Sequence, residues 1–178
     1  DIMDDILEWE GKRYTRRSGK WVGSDHTVVP EILQDKLNRA YYETIDLSKL
    51  TADEAIREGD KFKSSASYGL AIKLYVYSME RASYKDAVYI LPRLTSCYRA
   101  QGRAQDVIKM ASMVKKRYGG EIFSPVLLTS IAAAYCDLGE YGQARKCCDK
   151  AYAMAGGHAS GELSLVYKRI EPAQKPKK

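Results

Sequence analysis

Histidine and clustered cysteine are scarce in this sequence, and the shortage bears on metal binding. The 178 residues include two histidines, His26 and His158, and four cysteines without a CxxC pair. Protein zinc sites are built from closely spaced cysteine and histidine ligands. We therefore expect no metal site.

The cysteines also bear on the cellular compartment. Cys147 and Cys148 are adjacent, a spacing that closes no useful loop, and Cys97 and Cys136 lie in stretches with helical periodicity. We expect four reduced thiols, as in a cytoplasmic protein. No apolar run approaches the roughly 20 residues that span a bilayer, and no signal-peptide pattern opens the chain. These features predict a soluble protein without a membrane span.

Motifs for catalysis are missing as well. The chain has no phosphate loop of the GxxxxGK[ST] type and no clear pairing of a nucleophile with a base. His26 beside Asp25 follows a turn and has no candidate nucleophile near it in the sequence. We expect that the protein is not an enzyme and needs no cofactor.

What the chain does contain is 45% hydrophobic residues and an excess of positive charge, +6 at neutral pH. This composition can bury a core. Five cations fall in KRYTRRSGK, residues 12–20, and five more in the last eleven residues. A positive charge is compatible with an acidic partner but does not identify an activity.

The first 29 residues have a sequence pattern typical of short strands joined by tight turns. Trp9, Tyr14 and Trp21 alternate with polar residues, and Ser18-Gly19 suits a two-residue hairpin loop. An isolated hairpin is only marginally stable in water. We therefore predict that a β-hairpin appendage, residues 1–29, packs on a helix over residues 30–44.

Apolar residues then recur at helical spacing up to residue 170. A mainly α fold is predicted, an antiparallel helical-hairpin solenoid over residues 30–170, followed by a disordered basic tail, 171–178. The predicted helices after residue 50 are 51–64, 68–82, 85–100, 104–118, 122–137, 141–154 and 160–170.

Three segments within this region align by their turns. Each has an aromatic residue (Phe62, Tyr98, Tyr135) four positions before a small one (Ala66, Gly102, Gly139), and five positions later a residue suited to a helix crossing (Ala71, Val107, Ala144). The last set recurs after 36 and 37 residues. Such a fixed period is typical of helical repeat proteins.

The stretch from Leu128 to Ala151 closely resembles a tetratricopeptide repeat (TPR). It matches the family's pattern at Leu128, Ile131, Ala132, Tyr135, Gly139, Tyr141, Ala144 and Ala151. Two weaker copies precede it, so the resemblance implies about three repeats over 51–156 (51–84, 85–120 and 121–157), a right-handed superhelix and a terminal helix at 160–170. The interval is two or three residues longer than usual for the family, and Pro92 falls inside a predicted helix.

The resemblance also implies a function, because TPR proteins generally bind peptides or protein segments in a concave groove. The family's groove positions fall here on Ile56, Arg57, Asp60, Lys63, Tyr89, Arg93, Ser96, Arg99, Val126, Thr129, Ala133 and Cys136. Ile56 and Asp60 replace the lysine and asparagine that clamp a chaperone's terminal carboxylate in some members. We therefore expect a protein-binding scaffold without that specificity.

Two alternatives remain open at this stage. Cations interleaved with aromatic residues are typical of nucleic-acid contacts, and the hairpin presents such a patch at Lys12, Arg13, Arg16, Arg17, Lys20 and Trp21. The same composition protects a strand edge. Alternatively, the hairpin and the solenoid ends form a homo-oligomer or dock onto another domain of a larger protein.

Overall fold

A computed structural model describes residues 5–174 of the chain. Within that range the protein is mainly helical, with a small antiparallel sheet at its N-terminal side. The strands are β1 (Asp5–Trp9), β2 (Lys12–Arg17) and β3 (Lys20–Val22), and the helices are α1 (Glu31–Tyr42), α2 (Ala52–Ser64), α3 (Tyr68–Arg81), α4 (Tyr84–Ala100), α5 (Ala104–Tyr118), α6 (Pro125–Asp137), α7 (Tyr141–Met154) and α8 (Gly161–Gln174). Short 3-10 helices lie at Leu47–Lys49 and Gly120–Ile122.

The chain divides into two compact units, Asp1–Asp86 and Ala87–Lys178. We call them the N-terminal and the C-terminal unit. The predicted appendage of residues 1–29 belongs to the N-terminal unit, and the division falls in the first turn of α4.

The sheet of the N-terminal unit has the strand order β1-β2-β3. The predicted hairpin at Ser18-Gly19 is confirmed: both residues have positive φ, 50° and 79°, and the register pairs Arg16 with Trp21. A second hairpin turns at Glu10-Gly11 with φ of 48° and 76°. Consecutive residues of positive φ are those of the mirror-image turns that match the twist of a β-hairpin.

The sheet packs on α1, as was predicted from the tryptophans in its strands. Trp21 is fully buried, and its indole Nε1 donates to Asn38 Oδ1 at 2.8 Å. Gln34 pairs with the Trp21 backbone in both directions, accepting from its N–H at 2.8 Å and donating to its C=O at 2.9 Å. Leu37 completes the buried cluster. These bonds satisfy polar groups that would otherwise be costly to bury.

The three aligned turns have the same backbone geometry. Ala66, Gly102 and Gly139 have φ of 62°, 68° and 74°. The carbonyl of the aligned aromatic residue accepts a hydrogen bond from the N–H five positions later, at 2.9, 2.8 and 2.9 Å. Together with the bond from each small residue to the carbonyl three positions earlier, this is the Schellman ending of a helix. The repeat read from the sequence is thus a repeat of turn geometry.

Packing follows the same period. Ala71, Val107 and Ala144 are fully buried, and α2 packs on α3 as α6 packs on α7. Small residues allow helices to approach closely. At Gly59 of α2, an added Cβ would lie only 2.7 Å from a Tyr75 ring carbon of α3.

Two helix ends differ from the prediction. α6 begins at Pro125 rather than near 122, because Ser124 caps it by accepting from Leu127 N–H at 3.2 Å and proline suits the first turn. α8 continues to Gln174 rather than ending near 170, so the predicted disordered tail begins inside this helix. Pro172 near its end removes only a single backbone donor from the helix. The rest of the predicted tail, residues 175–178, lies outside the described residues.

Candidate functional site

The C-terminal unit contains an open cleft of about 680 Å³ between α4, α6 and α8. Its lining combines small, apolar and arginine side chains. The residues are Pro92, Ser96, Arg99 and Ala100 of α4, Val126, Thr129, Ser130 and Ala133 of α6, and Glu162, Leu165, Val166 and Arg169 of α8. Each helix contributes positions three or four residues apart, which lie on one helix face.

One end of the cleft is defined by a carboxylate shared between two arginines. Arg99 donates from Nε to Asp137 Oδ2 at 2.9 Å, and Arg169 donates from Nη2 to Asp137 Oδ1 at 2.8 Å. Arg99 lies near the end of α4, and Asp137 ends α6. The bonds therefore bring the C-terminal parts of α4, α6 and α8 together.

The shared carboxylate is held ionised by its partners. Burial alone would raise the pKa of Asp137, but the hydrogen bonds and positive charges of Arg99 and Arg169 outweigh it and lower the pKa. The arginine side chains remain 33% and 42% exposed. Both guanidinium groups are thus held in place and still accessible to solvent.

The other end of the cleft is apolar with one acid. Val126 and Leu165 are 59% and 61% exposed, which is unusual for aliphatic residues that lie beside a cleft. Glu162 lies in the first turn of α8, beyond Leu165. The floor between the two ends is made of small side chains, among them Ser96, Ser130 and Ala133.

Five of the twelve predicted groove positions line this cleft: Ser96, Arg99, Val126, Thr129 and Ala133. Thr129 is buried, and its hydroxyl donates to the Pro125 carbonyl at 2.7 Å, so it shapes the cleft rather than offering a free donor. Ala133 is also buried. Ser96, Arg99 and Val126 are therefore the predicted residues best placed to contact a ligand.

Tyr89 and Arg93 also belong to the C-terminal unit but are not among the described residues that line the cleft. They interact with each other: the Arg93 guanidinium carbon lies 4.2 Å from the centroid of the Tyr89 ring, and Nη1 donates to the Tyr89 carbonyl at 2.9 Å. Arg57 and Lys63 belong to the N-terminal unit. There Arg57 is exposed and faces Asp53 at 3.7 Å, while Lys63 is partly buried at the end of α2.

The contribution of α8 was missed by the sequence prediction, which treated this helix only as a cover for the last repeat. The signal was present in the sequence. Glu162, Leu165, Val166 and Arg169 follow the spacing i, i+3, i+4, i+7 that marks a single helix face. Two of them carry charge, so this face differs from an ordinary buried stripe.

The basic patch predicted on the hairpin is divided by the fold. Lys12, Arg13, Arg17 and Lys20 are exposed, whereas Arg16 and Trp21 are buried. Trp21 therefore cannot serve as a stacking platform for a base, and Arg16 cannot reach a phosphate, without unfolding of the sheet from α1. Four surface cations remain, and one of them, Arg13, faces Glu8 across the sheet at 3.5 Å.

The described residues include no group of three or more potential metal ligands among their histidines, cysteines and acids. All four cysteines are free thiols. Burial, with neighbouring charges, raises the pKa of Cys148 to about 12, so this thiol is protonated at neutral pH. Within residues 5–174, no helix combines the length and the apolar character that crossing a membrane requires.

Comparison with protein-family models, with curated proteins and with solved structures found no match to this chain.

Proposed function

We propose that the protein is a scaffold of TPR-like helical hairpins whose C-terminal unit binds a segment of another protein in the cleft between α4, α6 and α8. The cleft itself carries the proposal. It is open along its length, has a floor of small side chains and exposes two aliphatic side chains at one end. A volume of several hundred Å³ is in the range of clefts that bury small ligands and accommodates a short peptide.

Two further observations support the TPR-like interpretation. The aligned turns at Ala66, Gly102 and Gly139 share one backbone geometry, and the 36- and 37-residue spacing connects buried small residues at helix crossings. The right-handed superhelical arrangement of the hairpins stays a prediction. The cytoplasmic location rests on the free thiols, which are typical of reducing compartments.

The proposal is tested by selecting peptides on the purified chain and asking where they bind. Backbone amide chemical shifts recorded with and without a selected peptide should change in α4, α6 and α8. Ser96→Trp places a large side chain in the cleft from an exposed position and should abolish binding. Arg103→Gln is a matched control, because Arg103 is an exposed arginine of the same unit that pairs with Asp106 away from the cleft.

Shift changes confined to the exposed cations of the sheet, with binding unaffected by Ser96→Trp, would contradict the proposal. Circular dichroism of both variants should match that of the unmodified chain, because Ser96 and Arg103 are both exposed.

A further inference from the structure

The arginine pair has more donors than its resident carboxylate uses. Each guanidinium carries five N–H groups. The hydrogen bonds of Arg99 use one N–H on Nε and one on Nη2, and those of Arg169 use one on each Nη nitrogen, to Asp137 and to the Ala133 carbonyl. Three N–H groups on each side chain thus lack a partner within the described part of the chain. They are available to a second acceptor.

The charges at this end of the cleft are also unequal. Arg99 and Arg169 supply two positive charges and Asp137 one negative charge. A planar guanidinium binds a carboxylate through two parallel hydrogen bonds, the strongest such pairing available to side chains. A carboxylate is therefore the group that best satisfies both the surplus of donors and the surplus of charge.

The apolar end lies at a defined distance from the arginines. Leu165 precedes Arg169 by four residues, about 6 Å along α8, and Glu162 precedes it by seven, about 10 Å. An extended chain rises about 3.3 Å per residue, and its alternate side chains lie on the same face. Two positions of an extended peptide therefore span from Arg169 to Leu165, and two more positions on the same face reach the end of the cleft that holds Glu162.

We propose that the ligand of the cleft is an acidic internal segment of another protein, with an aspartate or glutamate on Arg99 and Arg169 and an apolar side chain two positions away on Leu165. The inference rests on the proposed function, whose groove it assigns to a class of peptide. When the cleft is empty, the Asp137 carboxylate holds both arginines in place. When a ligand binds, it competes with the ligand's carboxylate for their N–H donors. Glu162 disfavours a second acid at the far end by charge repulsion.

The experiment uses an array of hexapeptides, each acetylated at its N-terminus and amidated at its C-terminus, so that carboxylates come only from side chains. We expect selection of an acid and an apolar residue two positions apart, with acids excluded two positions beyond the apolar one, on the face that meets Glu162. The best peptide is then titrated by fluorescence anisotropy against variants of the full chain.

The variants should shift affinity in opposite directions. Arg99→Gln with Arg169→Gln removes both charges and should weaken binding about tenfold or more. Asp137→Asn removes the competing charge and should strengthen binding several-fold. Arg103→Gln removes one positive charge outside the cleft and should leave affinity within about twofold. Measuring all variants at two salt concentrations controls for general charge effects.

The outcomes separate the inference from the proposed function. Capped peptides selected without acids, or affinity unchanged by the double arginine variant while Ser96→Trp abolishes binding, would overturn the acidic ligand and leave the groove in place. Binding that requires a free C-terminal carboxylate would also overturn it. Binding insensitive to Ser96→Trp would overturn the groove itself.

Discussion

The two units each contain a cluster of arginine and carboxylate, and the clusters differ in burial and in balance. In the N-terminal unit, the buried Arg16 and the part-exposed Lys61 share two acids, Asp5 and Glu58. In the C-terminal unit, two part-exposed arginines share the single acid Asp137. The first cluster has no net charge, and its arginine is enclosed. The second has a net positive charge, and its arginines, beside a cleft, have N–H donors without a partner within residues 5–174.

The surroundings of the arginines strengthen this contrast. Arg16 donates to Asp5 at 3.0 Å from Nε and at 2.7 Å from Nη2, and Nη2 also donates to Glu58. The guanidinium carbon lies 4.3 Å from the centroid of the Tyr41 ring. Its Nη1 has no hydrogen-bond partner among the described residues, and the aromatic ring offers it a cation–π contact instead. A charge enclosed in this way contributes to folding, whereas a charge that faces solvent beside a cleft is available for binding.

The largest expected effect follows from removing the buried charge. Arg16→Met leaves the carboxylates of Asp5 and Glu58 partly buried without their main partner, which should lower the free energy of unfolding by roughly 3–5 kcal/mol. The matched change in the other cluster, Arg99→Met, should cost less than about 1 kcal/mol, because that pair is part-exposed. Urea unfolding followed by circular dichroism measures both. Equal costs would remove the distinction between a structural and a binding cluster.

A smaller effect should distinguish the equivalent turns of the two units. Ala66 has the left-handed backbone conformation that Gly102 and Gly139 adopt at the aligned positions. That conformation costs a residue with a Cβ about 1–2 kcal/mol, and glycine recovers most of it. Ala66→Gly should raise the free energy of unfolding by up to about 1 kcal/mol.

The reverse substitution provides the comparison within the C-terminal unit. Gly139→Ala should lower the free energy of unfolding by a similar amount, and its cost comes from the backbone alone, because an added Cβ meets nothing within 4 Å. The same unfolding measurement applies. A destabilised Ala66→Gly variant would show that the aligned turns are not energetically equivalent.

The smallest effect concerns pH. Burial opposes ionisation of Asp5 and of Asp137, but in both cases arginine hydrogen bonds prevail and the pKa is lowered. A carboxyl whose pKa is lower in the folded state stabilises the fold above its unfolded pKa of about 4 and loses that contribution as the pH falls through its folded pKa. Stability should therefore decrease as the pH is lowered below about 4.

Single substitutions show which cluster causes this loss of stability at low pH. Asp5→Asn should flatten the dependence of unfolding free energy on pH in this range more than Asp137→Asn does, because Asp5 belongs to the more enclosed cluster. Denaturation at a series of pH values tests the difference. A larger flattening in Asp137→Asn would reverse the assignment.

Much of the helical part could be predicted from the sequence because its signals are local. The capping box at Thr51 and Glu54 marks the start of α2, and the positive-φ glycines mark the ends of α4 and α6. Periodic apolar residues placed most predicted helix limits within one or two residues of the observed ones. Ser124-Pro125 was also a local signal, but the apolar residues before it obscured the start of α6.

The candidate site was only partly predictable. Projection of a repeat pattern finds residues on equivalent helices, so it identified Ser96 and Arg99 on α4 together with Val126, Thr129 and Ala133 on α6. It could not assign Arg169 to the same site, because α8 lies outside the repeat and its position depends on packing against α6 and α7. Nor could the spacing of cations in the sequence show that Arg16 is buried while the cations around it are exposed.

The sequence by itself determined the helices, their turns, the hairpin at Ser18-Gly19 and the 36- to 37-residue period, since each depends on residues a few positions apart and on backbone preferences. Only the tertiary structure decided which arginine is enclosed by aromatic rings and which ones share Asp137 beside a cleft. Burial, charge balance and free donors are properties of neighbours that are distant in the chain. Residues 99, 137 and 169 acquire a common role only when α4, α6 and α8 come together.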